Sequence, residues 1–185
     1  MKITNYVTAA DGTSRLVPLP RAFGFIDSRI LGGNLSIVTV VFLTCVLAME
    51  GLGYACEDSG LLFAINSHIW TCESPILKFG TPEQKRKFLP KLCKGEWVGG
   101  HAMTEPDSGS DAFSMKTRAT KKGDRYILNG SKMFITNAPI ADLLLVFAVT
   151  DKAKGFAGVS AFIVEKGFTG FSTGKPIDKM GLRTS

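Results

Sequence analysis

Thr81-Pro82-Glu83-Gln84-Lys85-Arg86-Lys87-Phe88-Leu89-Pro90-Lys91-Leu92-Cys93-Lys94-Gly95-Glu96 is the stretch at which the chain changes character. It opens as a helix start. Thr81 supplies an N-cap hydroxyl, Pro82 suits the first helical position because its missing N–H has no partner there, and Gln84 is placed to close a capping box. Residues 84–92 then read as a short amphipathic helix, with Phe88, Leu89 and Leu92 on an apolar face and Lys85, Arg86, Lys87 and Lys91 on a wet one. At Lys94-Gly95-Glu96 the helical period stops, which places a domain boundary there.

Upstream of that point the pattern stays helical. Residues 37–56 predict one helix, with Gly51 and Gly53 near its end marking a close contact or a weak turn. Residues 61–70 and 73–78 predict two more, the second closed by Gly80 as a C-cap. Downstream, segments rich in Val, Ile, Phe and Tyr alternate with turn signals. Residues 116–120, 125–128, 132–136, 143–149, 159–164 and 170–173 read as strands, divided by Gly123-Asp124, Asn129-Gly130, Asn137-Ala138-Pro139, Gly155 and Gly167. Asn129-Gly130 reads as a type I′ hairpin turn, since both residues tolerate positive φ.

The expected fold is α+β: an N-terminal segment of uncertain structure (1–35), an all-α domain (36–95) and an antiparallel, barrel-like β domain (96–185). Lys179-Met180-Gly181-Leu182-Arg183-Thr184-Ser185 adds no closing element, so the chain is expected to continue in another polypeptide or to be truncated.

Composition narrows the function. With 185 residues, 45% of them hydrophobic, the chain can bury a core. Its charge of +6 comes from basic residues that are dispersed except at Lys85-Arg86-Lys87 and Lys121-Lys122. That argues against nucleic acid; the charge by itself reads first as a solvated surface and is compatible with attraction of an anionic small molecule such as a nucleotide or a coenzyme A ester. Cys45, Cys56, Cys72 and Cys93 form no C-x-x-C pair and have only His68 and His101 to join them. Zinc and iron–sulfur sites are thereby disfavoured, and buried free thiols in a reducing cytoplasm are expected. Residues 1–29 carry no secretory signal pattern. Residues 30–49 lack charge, but Gly32, Gly33, Asn34 and Ser36 shorten the apolar body to 37–49, which suits a buried helix better than a membrane span.

Two segments carry the polar chemistry: Met103-Thr104-Glu105-Pro106-Asp107-Ser108-Gly109-Ser110-Asp111, and Leu128-Asn129-Gly130-Ser131-Lys132-Met133-Phe134-Ile135-Thr136-Asn137. Each couples an extended stretch to a turn of small polar residues, where N–H groups and hydroxyls can converge on a cofactor with a phosphate tail. Thr104 and Thr136 stand at expected strand ends and suit hydrogen bonding to a flavin edge; completing a turn is the other reading of each. Ser108-Gly109-Ser110 can cradle a phosphate or be a common loop. Phe134 offers a plane for a flavin face or a core ring. Glu105, beside Pro106, reads as an exposed carboxylate or turn acceptor rather than a general base. No nucleophilic triad is visible, Gly170-Phe171-Ser172-Thr173-Gly174-Lys175 lacks phosphate-loop spacing, and no G-x-G-x-x-G follows a strand.

Taken together, Met49-Glu50-Gly51-Leu52-Gly53, Phe79-Gly80-Thr81-Pro82-Glu83-Gln84-Lys85, Leu89-Pro90, the Thr104 to Asp111 block, Leu128-Asn129-Gly130 with Lys132 and Ile135-Thr136-Asn137, and Lys179-Met180-Gly181 resemble the acyl-CoA dehydrogenase family of flavoenzymes. The resemblance implies FAD against His101, Ala102, Met103, Thr104, Gly109 and Ser110, and against Phe134, Ile135 and Thr136. Thr104 and Thr136 would touch the ring edge, Phe134 takes a position often filled by Trp, and Ser110 would approach the substrate pantetheine or the cofactor tail.

Family members oxidise the Cα–Cβ bond of an acyl-CoA thioester: a carboxylate takes the α proton, a hydride passes to the flavin, and electrons leave to an electron-transfer flavoprotein. They form dimers or tetramers, in the cytoplasm or, in eukaryotes, the mitochondrial matrix. The family's base lies in a carboxy-terminal four-helix bundle that no part of this sequence matches. No catalytic residue is therefore assigned, and the chain alone is expected to be inactive: completed by a second polypeptide or by the missing half of its own gene, serving as a non-catalytic acyl-CoA/flavin-binding or interaction module, or a truncated degenerate product.

Overall fold

The computed structural model of the chain describes Lys2, Ile3 and residues 35–185. Its helical part runs α1 (Leu35–Ala55), α2 (Ser59–Asn66), a π-helical stretch Ser67–Glu73, α3 (Ser74–Phe79) and α4 (Pro82–Cys93). Local chemistry sets these boundaries. Asp58 Oδ1 accepts from the N–H groups of Gly60 and Leu61 at 2.9 and 3.1 Å and so starts α2. At α4 both arms of the capping box form: Gln84 N–H donates to Thr81 Oγ1 at 3.2 Å, and Thr81 N–H to Gln84 Oε1 at 2.9 Å. The helices expected at 61–70 and 73–78 are joined through the π-helical stretch rather than separated by a break.

The strands are β1 (Lys2–Ile3), β2 (Gly99–Ala102), β3 (Arg118–Lys122), β4 (Arg125–Ser131), β5 (Leu143–Val149), β6 (Val159–Glu165) and β7 (Phe171–Ser172). They pair in the order β2-β5-β3-β4-β1-β7, with β6 on β5. The expected antiparallel barrel needs correcting in two respects. β2 and β3 run parallel to β5, so the sheet is mixed, and no pairing among the described residues closes β2 onto β7.

Two strand readings also change. The hairpin turn between β3 and β4 falls at Gly123-Asp124, with Gly123 at φ 63°, while Asn129 and Gly130 lie inside β4. Gly130 is small there because the Thr117 backbone crosses it: a Cβ would sit 2.7 Å from Thr117 Cα. Residues 132–136 are not a strand, because Phe134 takes φ 56° and leaves the extended ladder.

β5 anchors the molecule. Its run Leu-Leu-Leu-Val-Phe-Ala-Val is buried along nearly its whole length, as expected of a strand covered on both faces. One side joins Ala102, Leu128, Leu144, Val146, Phe162 and Val164 in the main core. On the other, Leu143 meets Cys72, Ile76, Phe88 and Leu92, and this cluster fastens the helices to the sheet.

The expectation of buried thiols holds fully only for Cys72, whose thiol burial pushes up to about 12; Cys93 is exposed, because it ends α4 at the surface. No group of His, Cys, Asp and Glu among the described residues could hold a metal ion. The expectations for residues 4–34 lie outside the described residues. Among the described residues no helix is long and apolar enough to cross a membrane.

Candidate functional site

The segment after β4 forms a wall of a cavity of about 300 Å³, and its backbone is unusual. Phe134 is 67% exposed and left-handed at φ 56°, a conformation that an aromatic residue rarely adopts. Three residues on, Asn137 is left-handed as well, at φ 67°. Its buried amide Nδ2 donates to Ala64 O of α2 and to Gly99 O of β2, both at 3.1 Å. Phe134, Ile135, Thr136, Ile140 and Ile177 line the cavity together with Lys175, Lys179 and Arg183, and no Asp or Glu side chain does. The result is a pocket with flat apolar walls and a basic rim, suited to a ring system carrying an anionic tail.

Beneath the wall is a pair that sequence reasoning missed. Lys132 Nζ lies 2.8 Å from Glu105 Oε1, with the two side chains 0% and 4% exposed. The same ammonium donates to Met103 O at 2.8 Å, and the Glu105 carboxylate accepts from the backbone N–H groups of Lys116 and Thr117. Glu105 is therefore not the exposed carboxylate that its Pro106 neighbour suggested; a buried cation draws it inward. Burial alone would raise its carboxyl, but the Lys132 ammonium and the two N–H donors outweigh that and hold it below the usual value. Burial lowers the Lys132 ammonium in turn, against the opposing pull of Glu105. Only the lysine's place in the Leu128 to Asn137 block marked it; for Asn137, its tolerance of positive φ just before Ala138-Pro139 was the available signal.

The structure distributes the remaining candidates unevenly. Thr104, half-buried, is tied to the cavity wall through its carbonyl, which accepts from Met133 N–H at 2.9 Å. Met103 packs beside the Met115, Leu145, Phe147 and Val159 cluster. Ala102 has no exposed surface, so only its backbone is available to a ligand. The His101 ring lies 4.8 Å from that of Phe147, and opposite the Thr71 carbonyl, 3.1 Å away, Nδ1 carries the proton. Burial lowers the His101 pKa.

Ser108 Oγ is spent on Asp111 O at 2.8 Å, while Gly109 and Ser110 are exposed and do not line the cavity. His68 belongs to the scaffold: its Nδ1 accepts from Gly99 N–H at 2.8 Å, and its Nε2 faces Glu73 at 2.9 Å.

A helical layer is fastened to a mixed sheet, a strained loop walls a basic cavity beside them, and two family models match the chain. Residues 32–96 match the acyl-CoA dehydrogenase N-terminal domain and residues 100–185 the acyl-CoA dehydrogenase middle domain, so the chain belongs to the acyl-CoA dehydrogenase family.

Among its relatives, mitochondrial isovaleryl-CoA dehydrogenase of Pongo abelii is 49% identical over 146 residues, 78% of this chain and 34% of that protein. Of solved structures, the prolyl acyl carrier protein oxidase AnaB superposes with a TM-score of 0.73 at 52% identity, covering 86% of this chain and 41% of its own. The FAD complex of PigA does so with a TM-score of 0.72 at 44% identity, covering 74% and 36%. The chain thus spans about a third of the length of the curated relatives it matches.

Proposed function

We propose that this chain is the FAD- and acyl-thioester-binding portion of an enzyme that dehydrogenates an acyl-CoA at Cα–Cβ, and that it binds without turning over. The observation that carries the reading is the cavity: an apolar wall of Phe134, Ile135 and Thr136 facing Lys175, Lys179 and Arg183, with no Asp or Glu side chain lining it. FAD, when bound, supplies the hydride acceptor.

The chain's own residues bind and orient. Phe134 offers its exposed ring as a stacking face, and the Thr136 hydroxyl and the backbone at Thr104 offer polar contacts to a ring edge. The basic rim favours phosphates, with Arg183 also paired to Asp178 at 2.7 Å and Lys179 Nζ donating to Ser185 O at 2.6 Å. Gly109 and Ser110, exposed at the loop tip, serve the thioester's pantetheine arm or the cofactor tail.

Loss of the α proton needs a general base, which in the family is a carboxylate. Glu105, the carboxylate nearest in sequence to the flavin-binding residues, is locked to Lys132 and held ionised in a buried pair rather than aimed into the cavity. The base is therefore not assigned to any described residue. The helical unit (36–95) and the β unit (96–185) are proposed as its two domains. An electron-transfer flavoprotein as electron acceptor, and association with further copies or a complementary chain, are the partners that this reading implies.

The test is the visible spectrum of the chain mixed with FAD, before and after butyryl-CoA or isovaleryl-CoA. A bound-flavin spectrum that stays oxidised supports the reading. Bleaching would place a functional base in this chain and overturn it, as would free-flavin spectra at every FAD concentration.

A further inference from the structure

The loop from Met133 to Thr136 holds a shape that its own sequence does not favour. Phe134 has neither glycine's conformational freedom nor, at 67% exposure, enough packing to hold φ 56° by itself. Something outside the loop must fix it, and both of its ends are fastened.

At the leading end the Lys132 side chain turns inward, giving 2.8 Å hydrogen bonds to Glu105 Oε1 and to Met103 O, and the next N–H, that of Met133, donates to Thr104 O at 2.9 Å. At the trailing end Asn137 reaches in two directions, to Ala64 O in α2 and to Gly99 O in β2. Asn tolerates the left-handed turn that this requires. Every acceptor named lies outside the loop, on α2, on β2 or on the Met103 to Glu105 segment that follows β2, so the leading anchor registers the wall against the segment that carries Thr104 and the trailing one against α2 and β2.

We propose that Lys132, acting with Glu105, and Asn137 are positioning residues that set Phe134, Ile135 and Thr136 against Thr104 before any ligand arrives. The inference rests on the functional reading above only for which ligand is served; the anchoring itself is a property of the ligand-free chain. A loop fixed in advance spares a ligand the entropy of ordering it, so the anchors govern affinity as well as shape.

The experiment compares Glu105→Gln and Asn137→Gly with Thr81→Ala, a cap variant remote from the loop. Glu105→Gln keeps the volume and weakens the clamp; Asn137→Gly keeps the backbone conformation and removes both donors. Amide hydrogen exchange is read in the ligand-free chain at Met133 and Ala138, whose N–H groups bond Thr104 O and Ile135 O, against the amides of β5.

The expected result is a selective rise at Met133 or Ala138 in the anchor variants, at least about tenfold beyond the rise of the β5 amides that follows from each variant's general loss of stability, and a change common to loop and β5 in Thr81→Ala. FAD titration of the same variants should weaken by a similar factor. Loop and β5 amides accelerating together in both anchor variants would reduce the anchors to ordinary stabilising contacts and overturn the proposal. If the parent chain binds no FAD, the functional reading fails while the exchange comparison still decides the positioning one.

Discussion

Lys132 and Glu105 form an ion pair with an N···O distance of 2.8 Å, shut off from water on both sides, at 0% and 4% exposure. Such a pair adds little compared with an apolar substitute but is costly to break from one side, because the surviving charge has no solvent. Lys132→Met is expected to destabilise the chain by about 3–5 kcal/mol, and Glu105→Gln by less, since the amide still accepts from Lys132. Urea unfolding of the two variants checks the order.

The same pair gives a pH dependence. The folded Glu105 carboxyl lies below its ordinary 4.5, so the unfolded chain takes up its proton first as the solution is acidified. Its contribution is complete above that ordinary value and is lost as pH falls through the depressed one. The urea midpoint should drop in this acidic range for the parent chain and be flatter for Glu105→Gln.

Gly100 lies behind the cavity wall. A Cβ there would sit 2.8 Å from Thr136 O and 2.7 Å from Leu144 Cδ2, so Gly100→Ala must push the loop or the core. A loss of about 1–3 kcal/mol, together with weaker FAD binding, is expected. Gly109→Ala meets nothing within 4 Å and should leave thermal stability unchanged. Melting curves of the two variants separate the cases.

His101 should titrate below its ordinary 6.5, because burial disfavours the imidazolium more than the Thr71 carbonyl favours it. Stability tied to this residue is complete above 6.5 and lost as pH falls through the folded value. An NMR titration of its ring protons gives the midpoint directly; one at or above the ordinary value would contradict the buried placement.

Thr81→Ala removes one arm of the α4 capping box and should cost about 1 kcal/mol, read as a shift in the urea midpoint.

What the sequence revealed, and what it concealed, follows from the range of the interactions. The Thr81 cap and the apolar run of β5 are local patterns, and both appear where their residues predict them. The Asn129-Gly130 dipeptide misled because its glycine answers to Thr117, a neighbour across the sheet, rather than to a turn. Residues 132–136 carry strand-like side chains, yet the buried Lys132 and the Asn137 amide bend them into a loop. Parallel pairing of β2 with β5 joins segments about forty residues apart, which no local period encodes. Thr104 and Thr136 were legible as polar residues beside turns; that the Thr104 carbonyl holds the start of the loop leading to Thr136, through Met133 N–H, was not.

The most direct test of the account is an amide NMR titration of the chain with FAD. Saturable shifts concentrated at residues 101–104, 133–137 and 174–179 are the expected result. Shifts centred elsewhere, or none at any FAD concentration, would contradict the assignment of this cavity as the flavin site.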